Sequence, residues 1–167
     1  MYYRYHDSPL GRLLLAGDEQ GLHLLHMDPA DPGQLAPGWH QAAGQLDEAV
    51  RQLDAYFAGR RQRFDLRLAP QGTAFQREVW AALLEIPYGR TTCYAELAQR
   101  IGRPKAMRAV GAANGANPIA VIIPCHRVIG RDGSLTGYAG GLARKELLLR
   151  LEGALLGESG ELDLAPR

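Results

Sequence analysis

The sequence predicts an α+β protein, with a small antiparallel sheet and one helix followed by a mainly helical segment containing a helix-turn-helix. Three observations carry this reading. Short Tyr- and Leu-rich runs at residues 2–6, 10–16 and 22–27 alternate with turn residues. Apolar residues then take up helical spacing. From residue 73 onward, helix-length stretches are punctuated by Gly and Pro, and a Gly-containing turn separates two of them.

The first three runs are separated by Asp7-Ser8-Pro9 and by Gly17–Gly21, which makes them strands of a meander. Asp28–Gly44 is rich in Pro and Gly and reads as a long loop. Leu46, Val50, Leu53 and Phe57 form the stripe of an amphipathic helix that Gly59 ends. Phe64–Leu68 alternates and reads as a further strand. Ala69-Pro70-Gln71-Gly72 marks a boundary, giving an N-terminal domain at 1–70, a second domain at 71–153 and a loose tail at 154–167. Thr73-Ala-Phe-Gln76 is a capping box opening a helix. Phe75, Val79 and Leu83 share one face of it, with Trp80 and Leu84 beside them, and Ile86-Pro87-Tyr88-Gly89 stops it. A helix near Tyr94–Ile101, the turn Gly102-Arg103-Pro104 and a helix at Lys105–Asn114 complete the helix-turn-helix. After the apolar run Ile119–Pro124 come a turn at Arg131–Ser134, a Gly-rich loop at Gly137–Gly141 and a last helix at Leu142–Glu152, stopped by Gly153.

Composition sets limits on function. With 46% hydrophobic and 22% charged residues the chain is not disordered. No stretch approaches about 18 consecutive apolar residues, and the N-terminus lacks the apolar core of a signal peptide, so a cytoplasmic protein is expected. Cys93 and Cys125 are the only cysteines, which excludes a disulfide framework and a four-Cys zinc site. The net charge of +1 conceals a gradient. Residues 1–70 carry −2, whereas residues 90–145 hold nine Lys and Arg against Glu96 and Asp132, a local +7. Such a segment is either a solvated Arg-rich surface or a polyanion site.

The helix at Lys105–Asn114 is built of small residues, Ala106, Ala109, Gly111, Ala112 and Ala113, around Arg108. This composition suits close helix packing. It equally suits a slim helix entering a DNA minor groove, which is only about 6 Å wide. Cys125 stands beside His126, Arg127 and Arg131, and nearby cations favour the reactive thiolate. An inert buried thiol at the end of an apolar run is the alternative. Glu152 falls at the C-terminal end of a helix, where the macrodipole disfavours a carboxylate by about 0.3–1 kcal/mol, so it has a use elsewhere or is simply solvated. Cys125 to Arg131 also has the Cys-x5-Arg spacing of thiol phosphatases. That chemistry needs a phosphate-cradling loop, and the β-branched Val128 and Ile129 and the turn after Arg131 are poorly suited to one.

Taken together, Ile123-Pro124-Cys125-His126-Arg127-Val128, Gly137-Tyr138-Ala139-Gly140-Gly141-Leu142, Ile86-Pro87-Tyr88-Gly89, Arg108-Ala109-Val110-Gly111 and Asn117-Pro118 closely resemble the O6-alkylguanine-DNA alkyltransferases (methylated-DNA–protein-cysteine methyltransferases) over about Gly72–Gly153. The resemblance implies a ribonuclease H-like N-terminal domain and a winged-helix-like C-terminal one. It implies that Cys125 takes the alkyl group from O6 of guanine, and from O4 of alkylated thymine, once per molecule after base flipping. It assigns His126, acting through a water, and Glu152 to deprotonate the thiol, and Tyr94 to protonate guanine N3. Arg108 becomes the finger that fills the vacated stack. Lys105, Ala106, Ala109, Ala113 and Arg127 become DNA contacts in the minor groove. Asn117, Tyr138, Ala139, Val128 and Lys145 line or brace the base pocket.

The implied partner is double-stranded DNA carrying O6-alkylguanine, bound by a monomer with no membrane and no obligate protein partner. No cofactor is implied, and no metal is expected, because residues 1–92 lack Cys and His23 with His26 is a weak pair. Ala139 stands where many relatives carry a serine, removing one hydroxyl from the pocket. The competing function is a lesion-binding module that transfers nothing.

Overall fold

The computed structural model describes residues 1–27, 35, 37–156 and 161–162. It divides into two compact units, residues 1–71 with 118–120, and residues 72–117 with 121–167.

The first unit is built on a four-stranded sheet. Strands β1 (Tyr2–Ser8), β2 (Gly11–Asp18) and β3 (Gly21–Met27) form the expected antiparallel meander, in spatial order β3-β2-β1. Central β2 buries Leu13, Leu14, Leu15 and Ala16 in a row, because a central strand has both faces covered. The β2–β3 register slips at Ala16/Gly17, and a Cβ at Gly17 would lie 2.7 Å from the Gly21 carbonyl oxygen, so only glycine fits this close approach.

Two expectations for this unit need correcting. Within the segment read as loop, His40–Gln41 forms a short strand β4, parallel to β1, with His40 N–H donating to Met1 O (2.8 Å) and Ala42 N–H to Tyr3 O (2.7 Å). Residues 28–34 and 36 of that loop lie outside the described residues. Phe64–Leu68 is not a strand. Helix α1 (Asp47–Phe57) carries the buried Gln52, whose side-chain amide donates to Asp65 O (3.0 Å) and accepts from Asp65 N–H (2.8 Å), doing the work of a neighbouring strand. Among the described residues, the sheet-like pairing there is a single bridge of Leu68 to Leu22. On α1 the stripe Leu46, Val50 and Leu53 is buried as expected, but the fully buried aromatic is Tyr56, and Phe57 is half-buried. Pro118–Ala120 joins this unit by pairing with β3, with Leu25 N–H donating to Pro118 O and Ala120 N–H to Leu25 O.

The second unit is mainly helical. Helix α2 (Ala74–Leu83) opens with the capping box: the Gln76 N–H donates to Thr73 Oγ1 (3.1 Å) and the Thr73 N–H to Gln76 Oε1 (2.9 Å). It buries Val79, Trp80 and Leu83, and leaves Leu84 exposed. Strand β5 (Thr92–Cys93) leads straight into helix α3 (Tyr94–Arg100), and helix α4 (Met107–Gly115) follows after a turn through Gly102. The helix-turn-helix is present, with Leu97 and Ala98 on α3 and Val110 and Ala113 on α4 buried.

The apolar run Ile119–Pro124 does not continue into a strand. It ends in a single 3-10 turn, Cys125–Arg127, and then strand β6 (Val128–Ile129), which pairs in parallel with β5. Helix α5 (Leu142–Leu151) ends with Glu152 as its C-terminal cap. In place of a wholly loose tail, Leu155–Leu156 (β7) pairs with Glu161–Leu162 (β8), while residues 157–160 and 163–167 lie outside the described residues. No helix among the described residues is long and apolar enough to cross a membrane.

Candidate active site

The reactive centre is organised by the 3-10 turn. With about three residues per turn, successive side chains leave its axis in three different directions. Cys125, His126 and Arg127 therefore point apart, although all three are buried. The turn follows a strained approach: Val121, buried and β-branched, takes φ 71°, a conformation that persists only where surrounding contacts enforce it.

Asn117 supplies one such contact. Its Nδ2 donates both to Ile123 O (2.8 Å) and to Cys125 Sγ (3.1 Å), clamping the loop and touching the sulfur. Asn114, at the end of α4, sets its Nδ2 3.5 Å from Cys125 O. Burial pushes the Cys125 thiol up, and the Asn117 hydrogen bond and the nearby Lys145 ammonium pull in the opposite direction. The net direction is upward, so at neutral pH the sulfur holds its proton and needs a base.

His126 and Glu152 form a pair. His126 Nε2 lies 2.8 Å from Glu152 Oε2, with both side chains fully buried. His126 Nδ1 has no hydrogen-bond partner among the described residues. Among the described residues, no hydrogen bond links Cys125 directly to His126: the thiol's side-chain contact is Asn117, and the imidazole's is Glu152.

Arg127 departs from its expected role. It was expected on DNA, yet it is buried, donating from Nε to Glu152 Oε1 (2.8 Å), from Nη2 to Glu152 Oε2 (3.0 Å) and from Nη1 to Ile86 O (2.6 Å). A two-pronged guanidinium on a carboxylate is among the stronger protein ion pairs. It also explains the unfavourable helix-end position of Glu152, whose charge is held by His126 and Arg127 together. The Ile86–Gly89 turn, expected as a helix stop and as one of the motifs of the family resemblance, closes this network from outside. Ile86 accepts from Arg127, and the Tyr88 hydroxyl donates to Leu151 O (3.1 Å) with its ring 5.8 Å from the Arg127 guanidinium.

Burial alone would raise the Glu152 carboxyl, but the His126 charge and the hydrogen bonds from His126 and Arg127 outweigh it and hold it well below the usual carboxylate range. A depressed carboxylate adds stability that is complete above its unfolded pKa, about 4.3, and is lost as pH falls through the folded value. Thermal melting between about pH 3 and 7 should therefore show an acid loss of Tm that is smaller in Glu152→Gln. An identical acid profile in both proteins would mean that Glu152 is not the group responsible.

The remaining pocket residues cluster nearby. Lys145 is fully buried, and its Nζ donates to Val128 O (2.5 Å) and Thr136 O (3.0 Å), pinning both sides of the loop that follows Cys125. Burial lowers its pKa to about 8. Val128 is buried, and Ala139 is exposed. The Tyr138 hydroxyl is buried without a partner among the described residues, and its pKa is raised well above the ordinary value by burial and then by the Cys125 charge. Tyr94 is half-buried at the start of α3, its hydroxyl 3.5 Å from Thr136 Oγ1. Its ring lies 3.8 Å from where a Cβ would stand on Gly111, so the two helices meet ring against glycine.

On α4 and the turn before it, Lys105, Arg108 and Ala109 are exposed and Ala106 is half-buried. Ala113 was expected to face DNA but is buried, and its carbonyl accepts from the Trp80 indole N–H (2.8 Å), so it belongs to the inward face. Arg131 is exposed beyond β6 rather than closing a cradle over Cys125, which leaves the phosphatase spacing without its geometry.

Comparison with known proteins decides the family. Residues 74–154 match the model of the 6-O-methylguanine DNA methyltransferase DNA-binding domain, and residues 1–70 match that of the 6-O-methylguanine DNA methyltransferase ribonuclease-like domain. The chain belongs to the 6-O-methylguanine DNA methyltransferase family.

Among this methyltransferase's relatives, the methylated-DNA–protein-cysteine methyltransferase of Methanosarcina acetivorans is 56% identical, over 92% of this chain and 99% of its own length. That of Mycobacterium tuberculosis strain H37Rv is 53% identical, over 91% of this chain and 92% of its own length. The crystal structure of Mycobacterium tuberculosis OGT in complex with DNA superposes with a TM-score of 0.85 at 52% identity, covering 92% of this chain and 93% of that one. Sequence reasoning missed three supports of the site: Asn114, the inward Arg127 and the Ile86–Tyr88 brace. The small-residue context of Asn114 is the one signal that could have marked it, since an amide among Ala and Gly at a helix end is out of place.

Proposed function

We propose that this methyltransferase repairs O6-alkylguanine in duplex DNA by direct reversal, moving the alkyl group onto Cys125. The single observation that carries the reaction is the buried thiol held by Asn117, next in the chain to a buried His126–Glu152 pair whose imidazole Nδ1 has no partner among the described residues. In the step, the Sγ–carbon bond forms as the carbon–O6 bond breaks. The thiol proton passes through a water to His126 Nδ1, the resulting imidazolium being stabilised by Glu152. The guanine leaves neutral because Tyr94 donates a proton to N3. The product is a thioether, so each molecule reacts once. O4-alkylthymine is a second substrate of the same chemistry.

The alkylated O6 lies inside the duplex, so the nucleotide must be flipped into the pocket bounded by Tyr138, Ala139 and Val128. The exposed Arg108 fills the gap from the minor-groove side, and Lys105 adds a phosphate contact. We place the reaction in the cytoplasm, whose reducing conditions keep Cys93 and Cys125 as thiols.

The decisive test is mass measurement after incubation with duplex DNA containing O6-methylguanine. The Cys125 peptide should gain one methyl group and no more; an unmodified peptide defeats the reading. Arg108→Ala should slow repair of duplex DNA by roughly tenfold to a hundredfold, the range for losing a base-step contact of about 1–3 kcal/mol, and barely alter reaction with the free alkylated base. Equal slowing on both substrates would remove Arg108 from the flipping step.

A further inference from the structure

We infer that Met107 is a second probe beside Arg108, an apolar side chain that packs into the minor groove at the base step next to the extruded nucleotide. The inference rests on the repair reaction proposed above and assigns a residue that reaction does not use. Met107 opens α4 and is 49% exposed. The other exposed large hydrophobics among the described residues, Leu84, Leu142 and the less exposed Leu147, stand at the end of α2 or on α5.

Around Met107 the outward positions are Lys105, Arg108, Ala109 and Ala112, which are cationic or too short to cover a thioether. A helix trimmed to alanine and glycine on its outer surface nevertheless keeps one long apolar side chain, adjacent to its one long cation. Position 107 lies one turn from Gly111, on the same helix face, and Gly111 is the residue that meets the Tyr94 ring. Met107 and Arg108 thus open the helix whose next turn, at Gly111, meets the Tyr94 ring. Lys105 and Arg108 can hold phosphates or fill a vacated stack, but neither supplies an uncharged surface for an adjacent, partly unstacked base pair. Methionine is the flexible, polarisable side chain suited to such an irregular apolar surface, and it is among the wedges that minor-groove proteins insert.

The test compares Met107→Ala and Met107→Leu with the wild type in the full chain. Three quantities are measured: affinity for duplex containing O6-methylguanine, single-turnover methyl transfer from that duplex, and reaction with the free alkylated base. Met107→Ala should lose about tenfold in duplex affinity and in transfer at limiting protein, equivalent to about 1.4 kcal/mol. Its free-base rate should stay within about twofold of wild type, and the slope of log affinity against log salt should not change, because no phosphate contact is removed. Met107→Leu should recover most of the loss. Wild-type behaviour of Met107→Ala on duplex overturns the inference and marks a merely solvated methionine. An equal loss on the free base, or a changed salt slope, also overturns it, by placing the effect in the pocket or in phosphate binding. Failure of the wild type to methylate Cys125 sinks the underlying repair reaction and is visible without either variant.

Discussion

Replacing Glu152 with alanine should destabilise the protein by about 3–5 kcal/mol and slow methyl transfer by about two to four orders of magnitude. Both effects have one origin. Glu152 is the shared acceptor for His126 Nε2 and for two guanidinium nitrogens of Arg127, and all three side chains are buried. Removing the carboxylate strands a guanidinium with the Ile86 carbonyl as its remaining hydrogen-bond partner, and an uncompensated buried charge is far more costly than a missing pair. The imidazole simultaneously loses the partner that fixes its ring and stabilises its protonated form. Denaturant melts and single-turnover assays measure the two losses separately. Glu152→Gln should recover much of the folding stability, since an amide oxygen still accepts from Arg127, and little of the rate, since it cannot neutralise an imidazolium. Combining Arg127→Ala with Glu152→Ala should cost much less than the sum of the single changes, because the second removes the charge the first would strand. Additive losses would show that the ion pair does not act as a unit.

Cys125→Ser should abolish transfer, with a loss beyond about 10⁴-fold on duplex DNA and free base alike. A hydroxyl preserves the shape of the site and can still meet Asn117 Nδ2, but its proton is far harder to remove than that of a thiol, and oxygen is the weaker nucleophile. The buried site already raises the thiol's pKa, so little driving force is left for a less acidic group. Affinity for lesion-containing duplex should stay close to wild type, because the exposed Arg108, Lys105 and Ala109 are untouched. Intact-mass measurement and a duplex-binding titration check the two halves. Residual methylation of the variant would place the acceptor on another residue.

How much of this was legible in the sequence depended on the range of the forces involved. The meander, the Thr73–Gln76 capping box and the buried positions of α1 and α2 follow from local spacing and local hydrogen bonds, so the chain displays them directly. The Phe64–Leu68 segment alternates like a strand, yet its Asp65 hydrogen bonds go to the Gln52 side chain, thirteen positions earlier in the chain, and no pattern within the segment records that. Arg127 was misplaced for a similar reason. An Arg in a basic stretch resembles a phosphate ligand until the helix end bearing Glu152 is brought against it. Cys125, His126, Glu152 and Asn117 could be named from motif and resemblance. Their division into a thiol held by Asn117 and an imidazole held by Glu152 required the 3-10 turn, which the apolar run before it does not announce.

The hydrogen bond from the Trp80 indole to the Ala113 carbonyl gives the molecule an optical gauge. Trp80 is buried, and Trp39, the chain's other tryptophan, is partly exposed, so their emission should differ in wavelength and in access to soluble quenchers. The indole reports on the last turn of α4, the same turn that carries Asn114 toward the Cys125 carbonyl. Crowding at the sulfur should therefore reach the indole, and a shift in Trp80 emission on methyl transfer is the expected result of a fluorescence measurement made without a label.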